Sequence, residues 1–159
     1  MKIKIYTTMA FRVQYLKDLA DWFKEDIKFD VSAARFRPDW FISETKKGPV
    51  QRITRSWLKK FVDHKYDAVV FNMGYSQWKP TDCMGYTKSL LVNGQRFVAM
   101  KSLFNGKRKR NRGWLKDDEF IGRLRHELLH VKYFAARKKD NTHLYDYTEK
   151  KPEKCLLEF

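Results

Sequence analysis

The sequence predicts a single α+β domain in which about four to five strands share a core with three helices. Three observations carry that expectation. Segments of alternating charged and β-branched side chains are interleaved with segments whose apolar residues recur at three- and four-residue steps. Asn93-Gly94 lies between two strand-like runs, the composition of a tight hairpin. A chain of 159 residues with 43% hydrophobic and 16% aromatic content fills one core and falls short of two, so residues 1–159 are read as one domain.

The elements follow in order. Lys2–Thr7 alternates in the manner of a half-buried strand. Tyr15, Leu16, Leu19, Trp22, Phe23 and Ile27, separated by Lys17, Asp18, Asp21, Lys24 and Glu25, describe an amphipathic helix. Phe29–Phe36 suits a strand ended by Arg37-Pro38, and Trp40-Phe41-Ile42 extends or follows it before the Lys46-Lys47-Gly48 break. Pro49 suits the first position of a second helix, with Val50, Ile53, Trp57, Leu58, Phe61 and Val62 on its apolar face. Its basic stripe, Arg52, Arg55 and Lys59, reads most simply as a solvated face.

Tyr66–Met73, with Ala-Val-Val-Phe at its centre, is a buried strand, and Gly74 to Gly85 is loop-like. Tyr86–Val92 and Gln95–Leu103 flank Asn93-Gly94 as hairpin strands. A glycine-bounded basic loop follows, containing Lys107, Arg108, Lys109, Arg110 and Arg112. The third helix starts near Asp117 or Asp118, whose carboxylates suit an N-cap and first turn, and ends near Lys138-Lys139.

A formal charge of +15, from 34 Lys and Arg against 19 Asp and Glu, predicts attraction to polyanions such as nucleic acid, anionic membrane or cell-wall polymers. Lys107–Arg112 is the candidate contact. Cys83 and Cys155 are far apart and form no C-x-x-C pair, which argues against a cysteine metal site or disulfide scaffold. The N-terminus lacks the apolar stretch of a signal peptide, and no run approaches the ~20 apolar residues of a membrane span. The expected location is therefore a host cytoplasm, or a virion into which the chain is packaged.

The most specific chemistry lies in Arg125-His-Glu-Leu-Leu-His130. At 100° per residue Phe120, Ile121, Leu124, Leu128, Val131 and Ala135 share one arc, and His126, Glu127 and His130 fall beside it. Imidazoles four apart on a helix point at one spot, which suits Zn²⁺ at about 2.0–2.1 Å from each nitrogen. Glu127, next to the first ligand, reaches a water at the open coordination position as general base without being a ligand. An ordinary amphipathic helix would instead leave both histidines in solvent.

One straight helix cannot complete a tetrahedral site, so a third ligand must return from elsewhere. Asp140-Asn141-Thr142 has the composition of a chain-reversing turn. His143 is the first choice, followed by Asp146 and then Glu149; with His143 as ligand, Asp146 becomes a carboxylate that orients an imidazole. Tyr133, Tyr145 and Tyr147 are candidate proton-bearing donors to an oxyanion or substrate, although aromatic packing is their commoner role. His64, between Asp63 and Lys65, reads as a surface residue.

Through His126-Glu127-Leu128-Leu129-His130, on a helix preceded by several strands, the chain resembles the zincin metallopeptidases. Tyr133 stands where the metzincin extension has glycine and Ala136 where it has a ligand, so that branch is excluded. The short loop to His143 looks more like the compact SprT-type and phage-encoded minimal zincins, and the likeness is specific over residues 126–146. It implies a zinc-dependent peptidase acting on a peptide or protein, with a mixed sheet packed on the active-site helix and two further helices. It also implies an edge strand that pairs with extended substrate, for which one strand of the Tyr86–Leu103 hairpin is the candidate. The competing expectation, from the charge, is a nucleic-acid-binding or virion structural protein with a structural or vestigial zinc site.

Overall fold

The computed structural model describes residues 1–8, 13–35, 43–45, 48–50, 55–73, 85–86, 91–101 and 117–142. Strand β1 (Lys2–Thr7) leads into helix α1 (Val13–Phe23) and strand β2 (Lys28–Ala33). A short antiparallel ribbon, β3 (Ser43–Thr45) and β4 (Gly48–Val50), precedes helix α2 (Arg55–Leu58) and a 3₁₀ turn at Lys59–Phe61. Strands β5 (Ala68–Met73), β6 (Gly85–Tyr86), β7 (Leu91–Val92) and β8 (Gln95–Lys101) follow, and helix α3 (Asp117–Ala135) comes last.

The main sheet is mixed, with the order β2-β1-β5-β8-β6 and β7 also paired to β8. The first four of these strands run parallel, with Ile3 opposite Phe29 and Ala68, and Val70 opposite Val98. β6 and β7 run antiparallel to β8, Gly85 facing Met100 and Leu91 facing Arg96. The domain is thus α+β around a mixed sheet, as the interleaved periodicities predict.

The period of two in the strands sorts their side chains onto two faces. Ile3, Ile5, Ala68, Val70, Val98 and Met100 face α1 and α3, joining Leu19, Trp22, Leu124 and Leu128 in the larger core. Val69, Phe71, Phe97 and Ala99 face the other way, onto Trp57 and Leu58. Phe71 is the centre of that second core, stacked with Phe97 at 6.0 Å and tilted against Trp57 at 5.0 Å. Such offset and edge contacts add to the burial of the rings themselves.

One expectation needs correction. Pro49 does not open a helix; it sits in β4 opposite Glu44, and the second helix begins only at Arg55. The fixed φ of proline suits an edge strand as well as a first helical turn, and a two-stranded ribbon leaves a side where its missing N–H is not needed. Of the two hairpin strands, β8 is interior, between β5 and the pair β6 and β7, so the edge candidate of the hairpin is β7. The turn itself is as expected, with Asn93 at φ 49 and Gly94 at φ 76, the left-handed pair of a type I′ turn.

Candidate metal centre

Helix α3 is covered on several sides. Ile121, Leu124, Leu128, Leu129 and Val131 belong to the core beneath the sheet, while Arg125 lies over the Trp22 ring and Lys132 pairs with Glu25 at 2.9 Å, both against the α1 segment. His126 and His130 are each only 8% exposed and Glu127 6%, so the expectation of two solvated histidines fails. Ala135, placed on the apolar arc by periodicity, is exposed where the helix runs out of cover.

The imidazoles of His126 and His130 face each other, Nε2 to Nε2, at 3.3 Å. That spacing is long for a hydrogen bond between nitrogens. It equals the separation, about 3.3 Å, of two nitrogens each held 2.0–2.1 Å from one tetrahedral cation. The two imidazoles are therefore spaced as two ligands of one zinc ion would be. His130 Nδ1 stands 2.6 Å from Asp140 Oδ2; with its proton donated there, the ring presents a lone pair at Nε2.

The end of the helix explains how Asp140 arrives. Arg137, at φ 52, adopts the left-handed conformation, and the bonds Lys138 N–H to Tyr133 O (3.1 Å) and Arg137 N–H to Phe134 O (3.1 Å) close a Schellman turn. The chain then folds back, and Asp140 Oδ1 accepts the Thr142 N–H at 3.0 Å. One carboxylate oxygen thus fixes the turn and the other holds His130. Burial pushes the Asp140 carboxyl up, but hydrogen bonds from Thr142 and His130 outweigh it and leave the group below the usual carboxylate value.

Glu127 is perturbed in the opposite sense. Burial pushes its carboxyl up to about 8; Arg123 opposes the rise and the Asp140 carboxylate adds to it. Glu127 is thus a buried carboxyl one residue along the helix from His126.

The carboxylate that orients His130 is Asp140, whose sequence context predicts only a turn. The sequence signal for this role is an acidic residue just past the helix, in a segment that reverses the chain. His143, Asp146, Glu149, Tyr145 and Tyr147 lie outside the described residues, as do Lys107, Arg108, Lys109, Arg110, Arg112, Cys83 and Cys155. Among the described residues, no group of three metal-ligating side chains forms. Tyr133 is fully buried. His64 is exposed, as expected. No helix of the described residues is long and apolar enough to cross a membrane. Comparison with protein-family models, with curated proteins and with solved structures finds no match to this chain.

Proposed function

We propose that this chain is a zinc-dependent metallopeptidase with a compact zincin-like fold. The observation that carries the reading is the buried pair of imidazole nitrogens 3.3 Å apart, one ring anchored by Asp140. His126 and His130 are the ligands from α3, and His143 is the proposed third, with Asp146 and Glu149 as alternatives. Zinc at such a site supplies Lewis acidity and lowers the pKa of an adjacent water to about 7.

The chain's own groups supply the rest. Glu127 takes the proton from the attacking water on a carboxylate oxygen and returns it to the leaving amine. A dication held by the two histidines would oppose the rise that burial gives the pKa of Glu127, favouring the ionised form. Asp140 keeps the His130 ring in one orientation and one tautomer. The antiparallel edge formed by β6 and β7 offers an extended peptide backbone partners for strand addition.

The test is elemental analysis of the purified chain, joined to hydrolysis of a labelled unfolded protein. Stoichiometric zinc, with chelator-sensitive hydrolysis that Glu127→Gln abolishes, supports the reading. No zinc, together with thermal stability unchanged by chelation, rejects it. The charge of +15 favours a second reading, a nucleic-acid-binding or virion structural protein. It gains if Glu127→Gln retains all activity while neutralising Lys107–Arg112 removes it.

A further inference from the structure

Strand β2 ends the sheet on the side away from β6, and among the described residues no strand pairs with its outer edge. The Lys28 N–H is donated to Met1 O at 2.9 Å and the Ala34 N–H to Thr7 O at 2.9 Å. In a parallel ladder alternate residues turn both backbone groups to one neighbour, so Lys28, Asp30 and Ser32 face β1. Phe29, Val31 and Ala33 therefore turn their N–H and C=O away from the sheet. Lys28, Asp30, Val31 and Ala33 are exposed. Val31 is 38% exposed although Ile5, its neighbour across the ladder, is fully buried. Such an open row of donors and acceptors is a template for another strand.

We infer that β2 pairs antiparallel with β2 of a second copy of this chain, around a two-fold axis through Val31. In that register Val31 exchanges both hydrogen bonds with its own counterpart, and Phe29 exchanges both with Ala33 of the other copy. Every outward backbone group of the strand is then satisfied. Asp30 comes opposite Ser32 of the other copy, which already accepts a hydrogen bond from the Lys4 ammonium at 2.7 Å, so each carboxylate approaches a cation. An axis through Asp30 would set two carboxylates opposite each other, which destabilises a ladder. An axis through Ser32 would set Phe29 against Arg35, beyond the end of the strand. The Val31 axis is thus the self-complementary one, and two-fold pairing of this kind closes at a dimer. The strand itself carries one cation, Lys28, and one carboxylate, Asp30, so repulsion comes from the remainder of two chains of +15 and is screened by salt.

The experiment is sedimentation equilibrium of the full chain over a range of concentrations, at low and at moderate salt. A six-residue edge buries less than a standard interface, so a dimer with a Kd on the order of 10–100 µM is expected. It is expected to tighten as salt rises, the reverse of polyanion binding. Val31→Lys, a charge placed on the edge, is expected to weaken the dimer at least about tenfold, while Val31→Thr keeps it. Both changes fall on an exposed side chain, and circular dichroism checks that the variants fold. Val31→Cys, mildly oxidised, is expected to give a peptide joined to itself at position 31, identified by mass spectrometry, because facing Cα atoms in such a pair lie about 5.5 Å apart. A chain that stays monomeric throughout overturns the inference. So does a dimer that Val31→Lys leaves intact, one that dissociates as salt rises, or a failure of Val31→Cys to join to itself.

Discussion

His130 Nδ1 and Asp140 Oδ2 stand 2.6 Å apart, joining the middle of α3 to the turn that follows it. The carboxylate fixes the ring and raises the basicity of its far nitrogen. Asp140→Ala is therefore expected to weaken zinc binding by about 10- to 100-fold, measured by competition with a chromophoric chelator. An unchanged affinity would show that the pair only closes the turn.

On the proposed reading, removing a histidine and removing Glu127 should separate cleanly. His126→Ala and His130→Ala are expected to lose stoichiometric zinc and the rise in Tm that zinc produces in the parent chain. Glu127→Gln is expected to keep both and lose hydrolysis. Calorimetry with and without added zinc reads the first difference, and a peptide-release assay reads the second.

Glu127 makes the cation-free protein sensitive to pH. Its pKa rises from 4.5 unfolded to about 8 folded, so between those values the folded chain keeps a proton that the unfolded chain has released. Stability is greatest below the lower value and falls as pH climbs through the window, by on the order of a few kcal/mol. Asp140 acts in reverse: its lowered pKa stabilises the fold above the unfolded value of 3.8, and that contribution fades as pH falls. Urea titrations of metal-free protein at pH 5 and 8.5 are expected to show the fall, and Glu127→Gln to remove most of it. A parent chain as stable at the higher pH would contradict the burial of this carboxyl.

Arg137 occupies a left-handed position that glycine accepts without steric cost. Arg137→Gly is expected to stabilise the chain by about 0.5–1 kcal/mol, with zinc affinity unchanged because the same turn still delivers Asp140. Chemical denaturation checks the gain; a loss would mean that the Arg137 side chain makes contacts outweighing its backbone strain.

The sequence exposed most of what depends on local chemistry. Asn93-Gly94 determined a turn, the apolar spacing of α3 placed both histidines beside the core, and Ala-Val-Val-Phe marked an interior strand. What remained hidden depended on pairing across distance. Pro49 is compatible with both a helix start and a ribbon edge, and only its partner Glu44 decides between them. The role of Asp140 depends on Arg137 turning left-handed, a conformation that the identity of an arginine does not announce. Nor does alternation reveal that β8 is enclosed on both sides while β6 and β7 form the rim.

Strand β1 has neighbours that are remote along the chain: Ile3 lies between Phe29 and Ala68, and Lys2 and Asp67 exchange hydrogen bonds. Each pairing requires a long loop to close before any contact rewards it. The floor on which α3 rests is therefore laid down slowly, and His126 and His130 meet in their buried arrangement only after that floor exists. The pairing of the two imidazoles becomes a late event of folding, so refolding time sets how soon a newly made chain has that arrangement.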